Sequence, residues 1–61
     1  MKVRDVLKQL ASDGWVDAGQ VGSHRQFTHP TKPGRVTVPG KPGDDLHPKT
    51  LRSIERQAGW R

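Results

Sequence analysis

The feature that most constrains this chain is a change in the spacing of its apolar residues, along 61 positions that contain no cysteine. Val3, Val6, Leu7 and Leu10 recur at i, i+3, i+4 and i+7, which lines one face of a helix. Gly14 supplies the usual stop, so the spacing predicts a helix over residues 3 to about 13. Further on the period drops to two: Val36 and Val38 alternate with Arg35 and Thr37, as in a half-buried strand. Leu51, Ile54 and Ala58 then return to helical spacing, with His47-Pro48 at the head of the segment and Gly59 at its end. Without cysteine there is no disulfide and no thiolate metal site, and a domain this small buries only about 60% of the surface its unfolded chain exposes. The patterned apolar residues must therefore fill one core, and residues 1–61 are expected to form a single domain.

Two further strands are expected between the first helix and residue 35. Residues 15–19 read as a short strand, Val16 and Ala18 on one side and Trp15 and Asp17 on the other, with Gln20-Val21-Gly22-Ser23 as the hairpin turn. Residues 24–29 form the second. Phe27 is its large apolar residue, so the face it shares with Arg25 and His29 should be buried, leaving His24, Gln26 and Thr28 on the open face. Pro33-Gly34 suits the centre of a type II turn, and the run PGKPGDD from Pro39 to Asp45 reads as a loop. The order is helix, three strands, helix. It points to an α+β domain, an antiparallel meander with both helices on one face of the sheet. The sequence leaves open whether Trp60 folds back onto the core or stays exposed.

Charge narrows the function. Eleven Lys and Arg stand against six Asp and Glu, a formal net charge of +5, which favours a polyanion such as nucleic acid as partner. Excess charge also serves solubility alone. The longest apolar runs are two residues, so no membrane span or signal peptide is expected and a cytoplasmic location follows by default. The spacing of His24, His29 and His47 forms no recognisable metal site, and no metal or other cofactor is expected. Ser23 beside His24 lacks a nucleophile-elbow motif and reads as a turn serine. RNA cleavage asks for less. A ribose 2′-hydroxyl attacks its neighbouring phosphate once a base takes its proton and cations steady the crowded phosphorus. A solvent-facing histidine on a basic domain meets both demands, although composition alone favours a plain surface histidine capping a strand. Lys49, Arg52 and Arg56 form a stripe on the second helix that could touch phosphates or simply be solvated helix surface.

The order of motifs resembles one family. The helix ends Asp13-Gly14-Trp15; Gly22-Ser23-His24 follows, with Phe27 three positions on. Then come HPTKPGRVTVP from His29, TLRSI from Thr50, and Gln57-Ala58-Gly59 at the close. Together, over nearly the whole length, these resemble the HicA mRNA interferase toxins of type II toxin–antitoxin pairs.

That resemblance implies a double-stranded-RNA-binding-domain-like fold, α-β-β-β-α, and an endoribonuclease that cleaves mRNA. It implies that His24, in the GSH motif, is the catalytic residue. Gly22 would allow close approach of RNA and Ser23 would contact phosphate. Apart from the resemblance, Lys32 or Arg35, from the neighbouring strand, is expected to steady the phosphate undergoing attack. The resemblance also implies a HicB-like antitoxin that covers the active surface, with DNA engaged only indirectly through that complex. Asp44, Asp45 and Glu55 depart from a cationic RNA surface, as does the poorly basic Gly19-Gln20-Val21. The rival readings are a noncatalytic RNA-binding module and a structural interaction domain.

Overall fold

The computed structural model describes residues 1–60. Its elements are α1 (Val3–Ser12), β1 (Val16–Val21), β2 (His24–Thr28), β3 (Val36–Val38) and α2 (Pro48–Gln57). The strands form one antiparallel sheet in the order β1-β2-β3, with the helices on one side, as the apolar spacing predicts. Val3, Val6 and Leu10 from α1, Phe27 from β2, Val36 and Val38 from β3, and Ile54 and Ala58 from α2 are all buried. Trp15 joins this core, and Leu7, Leu46, Leu51 and Trp60 pack around it.

Both helices end in the same way. In α1 the amide of Trp15 donates to the carbonyl of Leu10 (2.9 Å) and that of Gly14 to Ala11 (3.1 Å). In α2 Trp60 donates to Glu55 (2.8 Å) and Gly59 to Arg56 (3.2 Å). These are paired Schellman closures, each needing a left-handed residue that glycine supplies: φ is +96° at Gly14 and +76° at Gly59. Each closure turns a tryptophan inward. Trp15 therefore precedes the sheet, and β1 begins one residue later than its sequence implies.

The loop with two adjacent acids has a structural task. The first amides of α1 lack intrahelical partners, and the loop carbonyls take them: Val3 donates to Asp44 (2.9 Å) and Arg4 to Pro42 (3.0 Å). The Asp44 carboxylate accepts from the Lys41 amide (2.9 Å), and Asp45 pairs with Lys2 at 3.4 Å. The loop also carries the chain into α2 through Leu46, whose amide donates to the Met1 carbonyl (2.9 Å). The helices thus start at one end of the molecule and finish together at the other.

The β1–β2 hairpin differs from expectation. Val21 pairs with His24, so β1 runs to Val21 and the loop is only Gly22-Ser23. Gly22 has φ +58° while, among the described residues, no non-glycine has positive φ, the pattern of a type II′ turn, whose twist matches the flanking strands. Asp17 pairs with Phe27 but Gly19 with Gln26, leaving Ala18 as the extra residue of a bulge. The Gly19 amide donates to the Asp17 carboxylate (2.8 Å) across it. The expected alternation of Val16 with Ala18 gives way there.

Candidate active site

β2 sorts its side chains as the alternation requires. Phe27 is buried beneath the helices, while His24 is exposed on the opposite face. The register places Val21 and Gly19 beside His24 and Gln26 on that open face, and Thr28 beside Val16. Thr37 of β3 opposes Gln26, and its hydroxyl donates to Gln26 Oε1 (3.0 Å). Val16 and Val21 are 59% and 73% exposed. The open face is a shallow mixture of valine methyls, amide, hydroxyls and one imidazole.

The three histidines have different fates. His47 caps α2, its Nδ1 accepting from the Lys49 amide (3.1 Å). His29 is bound at both nitrogens. Its Nε2 lies 2.7 Å from the Asp13 carbonyl, an acceptor, so it must donate there. Its Nδ1 accepts from the Thr31 and Lys32 amides at 3.1 and 3.2 Å, and its ring meets Trp15 edge-on with centroids 5.1 Å apart. His24 has no side-chain hydrogen bond or ion pair to any described residue. It stands exposed beside the hairpin turn.

The other site residues named from sequence divide. Gly22 and Ser23 form the turn adjacent to His24, both exposed, and no atom lies within 4 Å of where a Cβ on Gly22 would be. Lys32 does not join them. Its ammonium donates to Asp13 Oδ2 at 2.7 Å and to the Ala58 carbonyl at 3.1 Å, tying the ends of both helices together. Arg35 is exposed, but it precedes Val36, which pairs with Phe27. The antiparallel register therefore puts Arg35 at the end of β2 away from His24, on the order of 10 Å along the strand.

One group has no sequence assignment at all. Asp13 Oδ2 accepts from Lys32, from Trp15 Nε1 (3.0 Å) and from Trp60 Nε1 (3.1 Å). The bonded Lys32 ammonium, then the Trp60 and Trp15 indoles, hold its carboxyl below the usual carboxylate value against the opposing effect of burial. Trp60 thus folds back. The repeated dipeptide Gly-Trp, at 14–15 and 59–60, is the signal in the sequence that marks this arrangement. Among the described residues, no three His, Asp or Glu side chains gather as a metal site would require.

A family model described as HicA toxin of bacterial toxin-antitoxin matches residues 3–60, from the first residue of α1 to the inward-turned Trp60. No curated protein matches the chain. The α-β-β-β-α order and a match over nearly the whole sequence agree: this chain belongs to the HicA toxin family, the toxin side of a toxin–antitoxin system.

Proposed function

We propose that this toxin is a metal-independent endoribonuclease acting on mRNA through His24, and that a HicB-like antitoxin restrains it by covering the open sheet face. One observation carries the reading. Of the three imidazoles, His24 is the one with no hydrogen-bond partner among the described residues, and it stands exposed beside a turn whose Gly22 has nothing within 4 Å of where a Cβ would be. In such chemistry the neutral imidazole removes the proton of a ribose 2′-hydroxyl. The resulting oxygen attacks the adjacent phosphorus, and the bond to the 5′-oxygen breaks. The products are a 2′,3′-cyclic phosphate and a 5′-hydroxyl, the leaving oxygen taking up a proton from the imidazolium or from water.

Gly22 and Ser23 form the rim that RNA would approach, with the Ser23 hydroxyl available to a phosphate oxygen. Lys32 is better read as structural, since its ammonium already has two partners. Arg35, near the far end of β2, suits a flanking phosphate rather than the one under attack. The open face, with two exposed valines among small polar groups, suits a protein cover. A cytoplasmic site of action follows from an mRNA substrate.

The test is cleavage of end-labelled mRNA with EDTA present. Wild-type protein should cut it and leave cyclic-phosphate ends, and His24→Ala should lose about 100- to 10,000-fold in rate. Undiminished cleavage by the variant would remove His24 from the chemistry; retained RNA binding without cleavage by either protein would leave a binding module.

A further inference from the structure

The acidic groups of this protein are mostly committed, which decides where its excess positive charge is felt. Asp13 holds Lys32, Asp45 holds Lys2, and Asp5, Asp17 and Asp44 accept from backbone amides of neighbouring residues. Lys49, Arg52 and Arg56 have no ion pair with any described residue, and all three are exposed. Successive helical residues are about 100° apart, so these three fall within roughly a 60° arc. That arc lies opposite the side carrying buried Ile54 and Ala58. The stripe is about 10 Å long, the rise of seven residues. Its orientation is fixed from the side: Gln57 accepts from the Thr37 amide (2.9 Å) at the outer edge of β3 and donates to Ser53 (3.0 Å).

We propose that this outward face of α2 is a second phosphate-contact surface, separate from His24, which holds a flanking stretch of the RNA being cut. The proposal rests on the ribonuclease reading. Its chemistry favours a polyanion over a protein: the arc holds three cations with no ion pair among the described residues and no large apolar side chain, whereas a protein interface needs an apolar centre. The exposed valines lie instead on the open sheet face. Because the helices and His24 occupy opposite sides of the sheet, one strand meets both only by passing round the molecule, whose smallest extent is 17 Å. A dinucleotide fills the His24 site alone. A longer RNA gains the stripe.

The test uses a triple variant, Lys49→Gln, Arg52→Gln and Arg56→Gln. With His24→Ala added to prevent cutting, binding of a labelled 20-mer RNA is followed by anisotropy against salt. Three lost contacts at about 0.7 each should flatten the log–log slope by roughly 2, so that the stripe's contribution to affinity fades about 20-fold between 50 and 200 mM salt. With His24 intact, the triple variant should cut a dinucleotide at the normal rate and a long RNA with raised KM. An unchanged slope would overturn the proposal, as would equal losses on dinucleotide and long RNA. So would an unchanged slope with lost antitoxin binding, which would give the stripe to a protein. Failure of every protein to cut RNA would sink the nuclease reading, and the slope would still decide the stripe.

Discussion

Two histidines, one opening β2 and one directly after its last residue, have opposite fates, and the contrast shows how a small domain divides its labour. At one end His29 is enclosed by the Asp13 carbonyl, two amides and the edge of Trp15. Around it Asp13, Lys32 and both indoles lock the helix C-termini together. At the other end His24, beside a two-residue turn, has no side-chain partner among the described residues. The closed end fixes the backbone from which the open end projects. A marginal fold cannot leave many polar groups unbonded, so an imidazole left free on the sheet stands out as available for chemistry.

The sharpest way to break this comparison is to exchange the two losses. His24→Ala should abolish most cleavage, by about two to four orders of magnitude, while its thermal unfolding stays within about 0.5 kcal/mol of wild type. His29→Ala should do the reverse. It leaves two amides and a carbonyl without partners and should lower stability by about 1–3 kcal/mol in urea unfolding, with activity per folded molecule retained. A His29→Ala protein that is fully stable but inactive would invert the assignment.

A matched pair of glycines sharpens it further. Gly14 and Gly22 both have positive φ, so alanine at either should cost about 1–2 kcal/mol of backbone strain. At Gly14 the added Cβ would also lie 3.0 Å from His29 Nε2, whereas at Gly22 it meets nothing. Gly14→Ala should therefore be the less stable of the two by chemical denaturation. Gly22→Ala should be the one that slows RNA cleavage.

The smallest effect is a pH dependence. Asp13 has its folded-state pKa lowered below the ordinary 3.8 by Lys32 and the indoles. The unfolded chain therefore binds the proton more readily, and the stabilisation from this carboxylate is fully present above pH 3.8. It is lost as pH falls through the lower folded value. Asp13→Asn should be less stable than wild type at neutral pH, and the gap should close on acidification below pH 3.8. A gap that widened there would contradict the bonded carboxylate.

Much of this division could be read from residue order. The helices announce themselves by spacing, β3 by alternation, and the outward face of His24 by the burial of Phe27 one face away. What escaped the sequence is non-local or unpatterned. β1 buries none of its residues, so no apolar signal fixed its start, its bulge or its end at Val21. Lys32 is basic beside a plausible site, and only the fold shows Asp13, 19 positions earlier, holding its amine. Trp60 could not be oriented because its partner is 47 positions away. Arg35 is near His24 in sequence, yet the antiparallel return carries it to the other end of β2.

The twin helix endings have an optical consequence. The chain has two tryptophans and no tyrosine, and both indoles donate to the same carboxylate oxygen. Emission from this protein is therefore a lamp placed wholly at the locked end. It dims or shifts when the clasp opens and stays dark to events at the hairpin tip, so the proposed binding of RNA there has to be watched through a dye on the nucleic acid.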